Sequence, residues 1–267
     1  MQSVISIATS DIFAALKKYK LVSMLGWQDV KQRYRRSALG PFWITISMGV
    51  MISAIGGVFG RIFNSPMSDF LPFLAAGMIV WTLLSSVITE GCFGFVSSEA
   101  VIKQLPIPLF VHILKVIWRN ILIFLHNILI IPLIFIFFCK LPSFSAFLCI
   151  PGLFLLMLNL SWISLILGVI CSRYRDLPQI VASILQVAYF LTPIMWMPSQ
   201  LPRHSDVYTY LLDLNPAFHL IEIVRAPLLG QLPSMTSWYT AIGLAVVGWG
   251  IAIAIFGRYR NRIAYWL

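Results

Sequence analysis

Six apolar stretches of the chain, residues 42–60, 71–89, 120–138, 144–170, 177–201 and 238–256, contain no Asp, Glu, Lys or Arg. A helix needs about 20 apolar residues to cross roughly 30 Å of hydrocarbon, because each residue advances it by about 1.5 Å. Each stretch meets that length. Backbone polar groups in lipid must be satisfied within the segment, so the pattern predicts an all-α integral membrane fold with six transmembrane helices. The fourth stretch is long enough to tilt or bend, with Pro151-Gly152 as the expected bend, and Pro193 and Pro198 interrupt the fifth.

Charge sorts along this frame. Only 10% of the 267 residues are charged, against about a quarter in soluble domains, yet the net charge is +10. Six crossings place both termini on one side. Lys17, Lys18, Lys20, Lys31, Arg33, Arg35, Arg36, Lys103, Lys115, Arg119, Arg173, Arg175, Arg258, Arg260 and Arg262 fall on that side, and Arg61, Lys140, Arg203 and Arg225 on the other. The positive-inside rule makes the termini cytoplasmic. Topology accounts for the basic excess, and with no separate basic domain there is no case for nucleic acid. The first long apolar run starts only at Phe42, behind basic residues, so no cleaved leader is expected.

Three segments lie outside the spans. Residues 1–40 form a cytoplasmic region ahead of the membrane domain at 41–267. Within it, 11–36 reads as an amphipathic interface helix capped by Thr9 or Ser10, with Ile12, Leu16, Tyr19, Trp27, Val30 and Tyr34 on one side and the basic residues opposite. Residues 97–108 predict a short helix capped by Ser97 or Ser98 and ended before Pro106. The semi-apolar stretch 201–232 repeats Ala217, Leu220, Ile221 and Val224 at helical spacing, which predicts short re-entrant helices before the last span.

Chemistry is sparse. There is no GxxxxGK[ST] phosphate loop, no H-x-x-x-H pair and no G-x-S-x-G elbow, so no catalytic residue and no metal site is assigned. The span interiors lack the ionisable groups that couple secondary transport to protons or sodium. His126 is the exception and is expected to bond a neighbouring helix; Glu90 is expected to pair with a basic residue at the cytoplasmic edge. Cys92, Cys139, Cys149 and Cys171 read as small buried apolar residues. Glycines and serines four apart, Gly49-Ser53-Gly57 and Gly56-Gly60, permit close helix approach in the first span. Trp43, Phe59, Trp81, Tyr189, Phe190 and Trp196 are candidates for a channel lining, since ring faces stack on sugar C–H groups without fixing one orientation; interfacial belts and ordinary packing are the alternative.

Four segments in order resemble the type 2 ABC permeases that export O-antigen, capsule and teichoic acid polymers: Arg33-Tyr34-Arg35-Arg36-Ser37-Ala38-Leu39-Gly40-Pro41-Phe42-Trp43; Val101-Ile102-Lys103-Gln104-Leu105-Pro106; Arg173-Tyr174-Arg175-Asp176-Leu177 with Leu191-Thr192-Pro193-Ile194 and Leu201-Pro202; and Leu214-Asn215-Pro216 with Arg225 and Gly230. The resemblance implies a homodimer in a bacterial inner membrane, paired with two copies of a separate ATPase that binds ATP and Mg; no cofactor is expected in this chain. It implies export of a polyprenyl-pyrophosphate-linked glycan, with Arg33, Arg35, Arg36, Ser37, Leu39 and Gly40 at the substrate entrance. It also implies that the interface helix and Glu99, Lys103, Gln104 and Leu105 rest on the ATPase. A teichoic-acid, lipid or drug exporter is the alternative within the family, and an integral membrane transferase the alternative outside it.

Overall fold

The computed structural model describes residues 4–33, 40, 42–141, 143–200 and 206–267. Among these there is no strand. Two helices, α1 (Val4–Lys17) and α2 (Tyr19–Arg33), precede α3 (Phe42–Ile62) and α4 (Met67–Cys92). The short α5 (Glu99–Gln104) leads to α6 (Phe110–Asn127) and α7 (Ile130–Phe137), and a 3-10 turn at Phe144–Leu148 opens α8 (Cys149–Arg173). There follow α9 (Leu177–Leu191), the single turn α10 (Asp206–Tyr208), α11 (Pro216–Leu228) and α12 (Met235–Trp266).

Five segments are long and apolar enough to cross a membrane: Phe42–Ile62, Met67–Cys92, Phe110–Phe137, Phe144–Arg173 and Met235–Trp266. The fifth expected span is instead a 15-residue apolar helix, α9, about 22 Å long. It stops at Leu191 because Thr192 takes an extended conformation ahead of Pro193, which has no N–H to continue the ladder. The third expected span begins ten residues early, at Phe110, so Lys115 and Arg119 lie in its first turns and not in a loop.

α4 is the hub: α3, α6, α7, α8, α9 and α11 all pack on it. Lipid offers no hydrophobic drive for helix association, so close approach at small residues carries much of the packing. Gly91 admits Ser164 of α8, whose hydroxyl donates to the Val87 carbonyl at 3.1 Å. Gly56 and Gly60 let α3 settle on Leu71, Met67 and Phe70, whereas Gly49 and Gly57 meet nothing within 4 Å and face away from the bundle.

The expected bend at Pro151-Gly152 is absent, and the change of helix type falls earlier, at Leu148–Cys149. Pro151 occupies the first turn of α8, where its missing N–H costs little. Gly152 serves contact: a Cβ there would overlap the carbonyl oxygen of Ile223 in α11. Gly152→Ala is therefore expected to destabilise the fold by about 1–3 kcal/mol, as overpacking does. Gly243→Ala, at a helical site with nothing within 4 Å, should be neutral or slightly stabilising. Thermal unfolding of the purified variants checks the contrast, and equal melting temperatures would refute it.

One end of the bundle gathers the basic residues. The expected single interface helix is two, broken at Lys18, and Thr9 and Ser10 lie inside α1; the Thr9 hydroxyl donates to the Ile5 carbonyl at 2.9 Å and caps nothing. The break changes the buried faces. α1 buries Ala8, Asp11, Ile12 and Ala15, and α2 buries Val22, Gly26 and Val30 against α6, while Leu16, Tyr19 and Trp27 are exposed. Asp29 of α2 takes Lys115 Nζ and Arg119 Nη1, each at 3.2 Å, and Arg119 Nη2 reaches Glu90 at 2.6 Å. Glu90 thus has the basic partner expected of it, although that partner is helical.

α11 dips back into the other end. Its Arg225 guanidinium lies 4.2 Å from the Phe73 ring centroid and beside Gly77, six and ten residues into α4. At 1.5 Å per residue that is roughly 9–15 Å from the end of α4.

Candidate functional site

A groove of about 480 Å³ opens between α3, α4 and α9. On α4, Trp81, Thr82, Ser85 and Thr89 recur at helical spacing on the side turned to α9, which answers with Leu185, Gln186, Tyr189 and Phe190. The Trp81 and Tyr189 ring centroids stand 5.6 Å apart, and those of Tyr189 and Phe190 5.4 Å. The lining joins ring faces to hydroxyls and one amide. None of its residues is charged.

Three of the six candidate channel aromatics, Trp81, Tyr189 and Phe190, are brought together here. Trp196 lies five residues past the end of α9 and folds back on it, its indole N–H donating to the Phe190 carbonyl at 3.3 Å. Trp43 is exposed at the start of α3, outside the groove. Phe59 packs on Phe63 at 5.7 Å, which in turn meets Phe70, so it belongs to helix packing.

A second cavity of about 270 Å³ adjoins the groove and shares Met51 and Thr82 with it. Ser47, Ser86, Glu90, Asn120 and Asn127 supply its polar lining. Glu90 accepts from Arg119 and from Asn120 Nδ2, while Asn127 Oδ1 is buried with no hydrogen-bond partner among the described residues. Sequence reading overlooked this polar track. Its signal was present: Thr82, Ser86 and Glu90 are four apart, and Ser85 and Thr89 likewise, within an otherwise apolar run.

At the basic end, α5 begins where expected, although Ser98 makes no side-chain cap. Lys103 Nζ and Glu99 Oε1 are 2.7 Å apart, and that hydrogen bond and charge hold the Glu99 carboxyl below its ordinary range. Lys103, Gln104 and Leu105 are exposed and Glu99 is half-buried, while Ile102 leans on the bundle. Of the substrate-entrance candidates, Arg35, Arg36, Ser37, Leu39 and the side chain of Arg33 lie outside the described residues. Gly40 is described, with φ +55, a conformation that suits glycine.

At the far end two of the sequence segments meet. Asn215 Nδ2 donates to Thr192 Oγ1 at 3.1 Å, and Asn215 Oδ1 caps α11 by accepting from the N–H groups of Ala217 and Phe218. His219 Nε2 faces the Asp213 carbonyl at 2.9 Å and must donate, so its Nδ1 accepts from the Ser237 hydroxyl at 3.0 Å. His126, expected to reach a neighbouring helix, instead donates Nδ1–H to Leu122 of its own helix; its carbonyl receives the Thr45 hydroxyl of α3. Cys92, Cys149 and Cys171 are buried, but Cys139 is exposed at the left-handed end of α7. Among the described residues, no three His, Cys, Asp or Glu side chains converge as a metal site would require.

A helical bundle with five spanning-length segments, an uncharged aromatic-hydroxyl groove and two peripheral surface helices fits a multi-pass membrane protein. The chain belongs to the ABC-2 type transporter family, which matches residues 20–229. It is 23% identical over 251 residues to an O-antigen export system permease protein of Klebsiella pneumoniae, covering 92% of this chain and 94% of the relative. It is similar to a protein of the same description from Myxococcus xanthus, at 23% identity, 91% and 94% coverage. A polysialic acid transport protein of Escherichia coli is 23% identical over 207 residues, 76% of this chain and 79% of the relative.

Proposed function

We propose that this chain is the permease subunit of an ATP-driven exporter of lipid-linked polysaccharide, O-antigen or capsular glycan, in a bacterial inner membrane. The observation that carries the reading is the groove: ring faces for sugar C–H groups, hydroxyls and an amide for sugar hydroxyls, and no charge to trap a sliding polymer. The relatives, which are O-antigen and polysialic acid transport proteins by name, support the same cargo.

In this reading the chain crosses six times, α9 and the residues after it making the fifth passage, with both termini cytoplasmic as the basic end requires. The groove is half a conduit. Its walls α3 and α9 bury little, Ile52, Gly56 and Gly60 in one and Pro178 in the other, and a second copy related by two-fold symmetry closes it. Two copies of a separate ATPase bind ATP and Mg, and push on α5 and on the α1–α2 surface.

The test is export in a strain lacking its own permease, supplied with this chain and its ATPase. Aromatic contacts contribute about 1 kcal/mol beyond burial, so Trp81→Ala and Tyr189→Ala should each lower surface polymer roughly fivefold. Trp43→Ala, outside the groove, should stay within about twofold of the parent on the same scale. Full surface polymer from the Trp81 and Tyr189 variants, at equal membrane abundance, would remove the groove from the path.

A further inference from the structure

At the basic end, a cavity of about 520 Å³ lies between α8 and α12. Its floor is aliphatic, from Val169, Ile170 and Ile255, and its rim carries Arg173 and Arg262. The Arg173 guanidinium rests 5.5 Å from the ring centroids of both Tyr174 and Trp266, which hold it at the mouth. Among the described residues neither Arg173 nor Arg262 has a carboxylate within ion-pair distance. Nearby cations are employed differently: Arg260 pairs with Asp11, and Arg175 adds its charge to the field at Glu99.

Two uncompensated guanidiniums above an aliphatic slot, with indole and phenol rings at the same level, match one kind of molecule: a phosphate carrying acyl chains. Guanidinium forks fit phosphate oxygens, aromatic rings settle at the headgroup level, and basic pockets between helices on the cytoplasmic side take anionic headgroups. We propose that this groove binds one anionic glycerophospholipid, its phosphate between Arg173 and Arg262 and an acyl chain along Val169, Ile170 and Ile255. Such a lipid would cement α8 to α12 beside the ATPase-facing surface. Only the naming of the leaflet and of the ATPase-facing surface rests on the function proposed above.

The experiment is native mass spectrometry of the full chain, purified in neutral detergent and titrated with phosphatidylglycerol, phosphatidylcholine or inorganic phosphate. Phosphatidylglycerol should bind at least tenfold more tightly than phosphatidylcholine, and excess phosphate should not displace it. A basic residue at an anionic surface contributes about 1 kcal/mol, so Arg173→Gln should weaken binding roughly fivefold and the Arg173→Gln, Arg262→Gln pair roughly 30-fold. Arg258→Gln, exposed on the same helix but outside the groove, should change nothing. Equal binding of the two lipids, displacement by phosphate, or an equal loss from Arg258→Gln would each overturn the site. Should the double variant not fold, brominated phosphatidylglycerol should quench the parent chain more than its Trp266→Phe variant, and equal quenching would have the same consequence. These readouts do not depend on export, so the lipid site and the polysaccharide reading fail separately.

Discussion

Arg225→Ala is expected to destabilise the protein by about 3–5 kcal/mol, the range for breaking a buried ion pair, and to lower its melting temperature by roughly 10 °C. Arg225 is 1% exposed. Its Nε and Nη2 both donate to Glu222 Oε2, its Nη1 donates to the Pro193 carbonyl, and its plane lies against Phe73. The Pro193 carbonyl matters most. The chain just past α9 is buried at Thr192, Pro193 and Ile194, and a carbonyl there, away from water, must find a donor or incur the cost of an unmade hydrogen bond. Arg225 is that donor. Truncating it strands both the carbonyl and the Glu222 carboxylate, so α11 should lose its seat and the outer end should loosen. Arg225→Met with Glu222→Gln removes the stranded charge and should recover about half of the loss, because a packed apolar pair substitutes well for a buried ion pair. A melting temperature for Arg225→Ala within about 2 °C of the parent would show that the pair holds nothing.

Asp11→Ala should cost about 3 kcal/mol, from a lost helix cap together with a broken, largely buried ion pair. The Asp11 carboxylate accepts from the N–H groups of Leu109 and Phe110 at 3.2 and 3.0 Å, capping α6 from outside its own segment, and takes Arg260 Nε at 2.7 Å. One side chain on α1 therefore ties the chain leaving α5 to the end of α12. Its loss should weaken both the fold and the transmission of any push on α5. Asp11→Asn, which can still accept at one oxygen but is neutral, should fall between the two. Melting temperature together with surface polymer at matched abundance checks this. If Asp11→Ala melts like the parent, the latch is not structural; if it exports like the parent despite a lower melting temperature, the latch does not transmit.

Much of the architecture was legible in the residues. Uncharged runs marked the spanning-length helices because lipid-facing helices leave no room for charge. The helical spacing of Leu220, Ile221 and Val224 foretold α11, all three being buried there. Other features were not legible. Lys115 and Arg119 looked like loop residues, since two cations in a spanning helix are expensive unless Asp29 and Glu90 stand opposite, and only packing brings those acids there. Asp11 carried no local signal for its role, because only packing brings Leu109, Phe110 and Arg260 to it. Trp43, Phe59 and Trp81 were equally good lining candidates until α9 came to rest beside Trp81 alone.

By itself, the order of residues determined how many apolar segments exist, which end of the bundle is basic, and that α9 stops ahead of Pro193. These depend on neighbours within a few turns. Tertiary structure alone decided which polar groups meet: Asp11 with Arg260, 249 residues apart, Thr192 with Asn215, and Pro193 with Arg225. In a water-poor interior an unpaired polar group is costly, so each of these side chains takes its role from the partner that folding delivers.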